Sequence, residues 1–308
     1  LDRHAFTINL FNWHTALFNG WGLMIQVAER SGNTYFYQGR IEAATVREAP
    51  QGFSVSFADN LLTSSREETR IRLRTDRLFC DLTIRHLVPP WKPGDGYAYL
   101  SERKQIYMRK SVPLPLGLTS GSLVLDDRFI PAQGWCYGDC SLTVMPVGEM
   151  SFSSYSFRTF GEGGPPDGKP WLVGLLHYAS DKKEAGIEVP MLIVVHGDRW
   201  ILSAKDYSLH LEDFTTDPRS RRPYPRRMCI RAFSRGYSLE GCFTCENVLY
   251  FDDVNEKLPY LLRLVAVFFA KRPLIIRMLG SFDGTLLKPD GSVERLSLYG
   301  QGDCSFSQ

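Results

Sequence analysis

The chain has 308 residues, 44% of them hydrophobic and 13% aromatic, and its 36 Lys and Arg against 34 Asp and Glu leave a formal net charge of +2. That length suits one large core or two ordinary ones, because domains run to roughly 100–200 residues, and two domains are expected. Interspersed, nearly balanced charge excludes nucleic-acid binding driven by bulk positive charge.

Residues 1–9 lack the charged start, long apolar centre and small-residue cleavage site of a signal peptide. Seven cysteines, at 80, 136, 140, 229, 242, 245 and 304, are too few and too irregular for a disulfide scaffold, and their odd number leaves one over. With no Asn-x-Ser/Thr acceptor either, an intracellular, reduced, cytoplasmic protein is expected. The longest apolar run, 258–270, is broken by Arg263 and falls short of the ~20 residues that span a bilayer.

Period-two alternation with β-branched and aromatic enrichment recurs along the chain. In the first half it predicts strands over 5–11, 22–28, 35–46, 53–58, 69–74, 79–86 and 118–125. In the second half it predicts them over 135–144, 151–160, 171–178, 191–196, 200–203, 208–214, 228–233, 237–251, 274–278 and 293–298. Short turn signals separate them, such as Gly197-Asp198 and Pro289-Asp290-Gly291, so the sheets are antiparallel and closure into barrels removes their edges. Only residues 255–270 read as a helix, with Leu258, Leu261, Leu262, Val265 and Phe269 near one face and Pro273 beyond its end. A break at 146–150 divides the chain into domains 1–148 and 149–308, and Gly20-Trp21 with its apolar sequel faintly repeats at Pro170-Trp171. A basic cluster of Arg219, Arg221, Arg222, Arg226 and Arg227 lies among Pro218, Pro223 and Pro225, where neither helix nor central strand is expected and a solvated loop is.

No phosphate-cradling glycine loop, dinucleotide fingerprint, nucleophile elbow or zinc-protease helix is present, so no cofactor and no metal are expected. The two thiols of Cys242-Phe-Thr-Cys245 fall on opposite faces of a strand, and Cys136 and Cys140 are too far apart along one to bridge. More informative are polar groups inside apolar strands: Asp139, His177, His196 and Glu246. Aromatic residues accompany them at Trp13, Trp21, Tyr107, Trp135, Tyr137, Tyr155, Phe157, Trp171 and Trp200. Each polar group alone reads more simply as a satisfied core or rim residue. Together they suit a lumen that orients a ligand with a few donors and acceptors among aromatic walls.

Three segments resemble the tandem-lipocalin superfamily, which holds the survival-factor ceramide carriers, the carotenoid hydratases and the fungal lipocalin-like Diels-Alderases. They are residues 255–277, the closing Gly302-Asp-Cys-Ser-Phe306, and residues 112–126 followed by Gly134-Trp135. The resemblance implies an all-β chain of two lipocalin-like antiparallel β-barrel domains in tandem with one C-terminal helix. The chain departs from the carriers at residues 137–146, where they have a histidine-rich stretch, and matches the hydratases' Asp-His pair only at Asp139.

The function expected is therefore a cofactor-independent cyclase or pericyclase acting on a large hydrophobic polyketide or terpenoid bound between two barrels. Asp139, His177, His196 and Tyr155 would be its hydrogen-bonding or acid-base groups, and Trp135, Tyr137, Phe157, Trp171, Tyr107, Trp13 and Glu246 would contact the ligand. The alternative is a ceramide or lipid carrier without chemistry, in which the basic loop and the helix make transient membrane contact. Neither reading involves nucleic acid.

Overall fold

The computed structural model describes residues 4–14, 19–29, 31, 34–41, 43–49, 51–99, 107–144, 152–162, 168–180, 188–218, 221–253 and 273–307. Every regular element among them is a β-strand. The chain divides into two compact units, one of Leu1–Trp91 with Val112–Asp139 and the other of Lys92–Ser111 with Cys140–Gln308. The second unit thus takes in residues 92–111 as well as 140–308.

In the first unit, β1 (His4–His14), β2 (Asn19–Glu29) and β3 (Thr34–Ile41) form a three-stranded antiparallel sheet. A second sheet contains β4 (Thr45–Ala49), β5 (Gly52–Phe57), β6 (Asn60–Ser64), β7 (Glu68–Arg74) and β8 (Leu78–His86). Short β9 (Tyr97–Tyr99) precedes two long strands, β10 (Tyr107–Leu125) and β11 (Arg128–Val144), that extend this sheet in the order β11-β10-β8-β7-β6-β5-β4. Alternation decides what is buried. Ile71 and Leu73 of β7 face Leu82 and Cys80 of β8 and are buried with them, while Arg70, Arg72 and Arg74 are exposed. Leu23, Ile25 and Val27 of β2 join these residues in one apolar core. Tyr35 ties the two sheets, with its Oη 3.3 Å from Thr75 Oγ1 and the Arg77 guanidinium 5.2 Å over its ring.

The second unit is built on β12 (Phe152–Glu162), β13 (Pro170–Ser180), β14 (Glu188–His196), β15 (Arg199–Ala204) and β16 (Tyr207–Thr216). Four longer strands complete it: β17 (Pro223–Ser234), β18 (Tyr237–Asp253), β19 (Pro273–Leu287) and β20 (Val293–Ser307). All nine form one antiparallel sheet in the order β15-β14-β13-β12-β20-β19-β18-β17-β16. Its two end strands are consecutive in sequence, joined by Lys205 and Asp206 alone. A flat sheet of this size would hold its edges roughly 38 Å apart at ~4.8 Å per strand, whereas so short a link spans about 11 Å. The sheet is therefore curled until its edges approach.

Inside the curl, the rings of Phe243 and Phe282 stack against Phe157 at 5.4 and 5.6 Å, all three fully buried. Glycine makes room for them. A Cβ at Gly241 would lie 2.5 Å from Phe282 Cζ, and one at Gly302 2.7 Å from Phe243 Cε1. Residues 171–176 and 191–195 are buried without alternation, so β13 and β14 are covered on both faces.

Several sequence expectations change. Residues 255–270, expected as a helix, lie outside the described residues. Strand β10 begins at Tyr107 rather than at 118, because Pro113 and Pro115 precede the point, Gly117, where it starts to pair with β8. Likewise β17 begins inside the basic loop at Pro223: Pro223 and Pro225 pair with β16, and the ladder to β18 starts only at Arg227. The expectation of wholly reduced cysteines is corrected by a disulfide between Cys229 of β17 and Cys242 of β18, directly opposite each other. No helix among the described residues is long and apolar enough to cross a membrane.

Candidate functional site

The antiparallel register of β12 and β13 sets Tyr155 directly opposite His177, at one end of the curled sheet. Odd-numbered residues of both strands face the curl: Phe157, Trp171, Val173 and Leu175 belong to its core, and Tyr155 packs against that core. Both Tyr155 and His177 are half-buried. His177 Nδ1 lies 3.2 Å from the hydroxyl of Tyr207, the first residue of β16, with the rings edge to face at 6.0 Å. The Tyr207 hydroxyl also donates to the Leu176 carbonyl at 3.5 Å. The Nδ1–Oη contact suits either imidazole tautomer: Nδ1–H donates to a phenol that donates to Leu176, or a bare Nδ1 accepts the phenolic proton.

Tyr155 stands edge-on to Phe306 at 6.1 Å, and Cys304 lies opposite it on its other flank, in β20. Cys304, Cys245 and Tyr224 sit in the same apolar cluster, and burial raises the pKa of all three, so each is neutral near pH 7. Neither thiol has the character of a nucleophile. The arrangement offers three phenols, an imidazole and apolar walls, floored by the Phe157 stack. Such groups bind and orient a carbonyl, hydroxyl or polyene by hydrogen bonds and shape, and the imidazole can exchange a proton.

The other predicted residues lie elsewhere. His196 and Trp171 stack at 3.9 Å with planes 8° apart, and His177 lies six positions further along β13 from Trp171, a run of about 20 Å. Phe157, two residues from Tyr155 on the same face, is fully buried in the stack that floors the site. Glu246 is exposed where the β18 register shifts between Cys245 and Asn247. Asp139 is exposed near the end of β11, and Trp135 and Tyr137 are half-buried on the face of that strand opposite Cys136, which packs on the first unit's core. Tyr107 clusters with Tyr97 and Tyr99 at 5.6 and 6.4 Å. The backbone of Trp13 pairs with Gly20, and its side chain is outside what is described. Sequence reasoning missed Tyr207 and Tyr224, which stand at or near strand starts with no local signal, and gave Phe306, in the closing segment 302–306, no role at the site.

No family model matches the chain, and no curated protein matches it. Among solved structures, it is similar to a Nitrosomonas europaea protein provisionally assigned as an AttH. The TM-score is 0.61 at 12% identity, over 98% of this chain and 86% of that one. Likeness at that identity is a likeness of fold, and it agrees with the all-β reading. A match to the WD40 domain of fission yeast SCAP has a TM-score of 0.12 at 7% identity.

Proposed function

We propose that this protein encloses a large, mostly apolar small molecule at the Tyr155–His177–Tyr207 end of its second unit, as a tandem-lipocalin-like protein would. In this reading it promotes a cofactor-independent cyclisation or pericyclic step on a polyketide or terpenoid. The observation that carries the reading is the cross-strand pairing of Tyr155 with His177, which is hydrogen-bonded to Tyr207, against an apolar wall. Folding a flexible chain so that its reacting ends meet can supply ~7–11 kcal/mol of a barrier by proximity alone. Neutral donors suffice to fix such a substrate and to polarise one carbonyl.

A lipid carrier is the second reading. It draws on the same lining, and the unreactive thiols Cys245 and Cys304 suit storage as well as turnover. Titration with an apolar fluorescent probe tests the shared premise. The wild type binds, and His177→Phe with Tyr207→Phe weakens binding; probe affinity unaffected by both variants contradicts the site.

A further inference from the structure

Cys229 and Cys242 lie on the face of β17 and β18 opposite the apolar core, away from the candidate site's side chains. The antiparallel ladder makes them direct cross-strand partners, joined as a disulfide. Both residues are half-buried rather than sealed in the core. Their surroundings are asymmetric. Arg227 Nη2 is 3.5 Å from Cys242 Sγ, whereas Glu212 Oε2 is 3.7 Å from Cys229 Sγ. Arg227 and Glu212 themselves pair at 3.4 Å.

We infer that Cys229–Cys242 is a thiol–disulfide exchange site, opened by a dithiol reductant, with Cys242 as the sulfur that departs first. A thiolate of the reductant attacks Cys229 Sγ, forming a mixed disulfide and expelling Cys242 as a thiolate beside the Arg227 guanidinium. The reductant's second sulfur, deprotonated, then displaces Cys229 and leaves as an intramolecular disulfide, so two electrons pass from reductant to protein. Of the two protons the reductant gives up, one ends on Cys229, whose thiol can donate to Glu212, and one goes to solvent. The better-stabilised thiolate is the better leaving group, which sets the direction of attack.

Other charges face the pair. His210 of β16 lies opposite Cys229, and Asp283 of β19 opposite Cys242. Arg231 and Glu240, two residues further along β17 and β18, hold each other at 2.7 Å. The Asp283 carboxylate accepts from Ser297 Oγ at 2.9 Å. Arg227 is the cation in contact with sulfur.

The test is a titration of the whole chain with a dithiol, dithiothreitol, read by differential alkylation and peptide mass, with the native protein compared to the same chain in guanidinium. The native chain is expected to take up alkyl groups at Cys229 and Cys242 without denaturant, because both sulfurs are half-buried rather than sealed in the core. In the mixed and reduced species, iodoacetamide is expected to label Cys242 before Cys229. Arg227→Gln removes that preference, and Glu212→Gln, which releases Arg227 from its ion pair, strengthens it. A Cys229–Cys242 bond that opens only in guanidinium, or equal labelling of the two sulfurs in the wild type, overturns the assignment.

Discussion

Tyr155 of β12 and His177 of β13 face each other across one antiparallel ladder, and the imidazole reaches 3.2 Å further to Tyr207 across the curl. The pair depends on strand register alone. A slip by one residue would turn both side chains away from the core.

Removing one member should weaken ligand binding more than it weakens the fold. A neutral hydrogen bond contributes about 0.5–1.5 kcal/mol, so Tyr207→Phe should lower ligand affinity two- to tenfold and leave the urea midpoint nearly unchanged. His177→Phe should act in the same direction. Probe titration and urea unfolding of the same samples check both.

The stacked rings behind the site should respond in the opposite way. Phe157, Phe243 and Phe282 are fully buried against one another, and truncating a buried Phe to Ala costs about 3–5 kcal/mol. Phe243→Ala should therefore lower stability by that amount. Gly302→Ala places a methyl group 2.7 Å from the Phe243 ring, which should cost about 1–3 kcal/mol by overpacking. Denaturant unfolding measures each.

An ion cluster on the other face of β12, β19 and β20 should matter far more than exposed pairs. Asp303 accepts from Arg277 Nε at 2.7 Å and Arg158 Nη1 at 3.2 Å, with side-chain exposures of 14%, 10% and 19% for the three residues. Losing a carboxylate shared by two buried guanidiniums should cost about 3–5 kcal/mol in Asp303→Ala. Asp81→Ala, which breaks an exposed pair with Arg72, should cost at most about 1 kcal/mol.

Alternation alone assigns His177, a polar residue inside an apolar strand, and Tyr155, one of the strand aromatics, to the core-facing side. The same signal could not tell them from His196, whose ring lies flat on Trp171 at the far end of β13. Contacts made across the curl, such as His177 with Tyr207, depend on how nine strands are ordered, and no local pattern encodes that order. Cys229 and Cys242 were illegible as a pair for a related reason: the hairpin turn at Arg235 fixes their register, while neither spacing nor count marks them. Prolines misled at β10 and β17, where a strand with one paired side tolerates them.

Stability should fall as the solution is acidified below about pH 6.5, the ordinary histidine value, and His86 should be one cause. His86 Nδ1–H donates to the Arg66 carbonyl at 3.1 Å, so Nε2 accepts from Thr69 Oγ1 at 2.9 Å. Burial holds its folded pKa below the ordinary value, against smaller opposing pulls from the Arg66 carbonyl and then Glu68. The unfolded chain therefore binds more protons in that window, and the stability present above it is lost as pH drops. His86→Gln should flatten the pH dependence of the urea midpoint between about pH 5 and 7.

Native mass spectrometry of the protein purified from its producing cells tests the central claim most directly. The account predicts a bound apolar molecule that denaturation releases and that His177→Phe diminishes, with a polyketide or terpenoid favouring the enzyme and a ceramide-type lipid favouring the carrier. A bare polypeptide mass that takes up no apolar ligand on addition would contradict it.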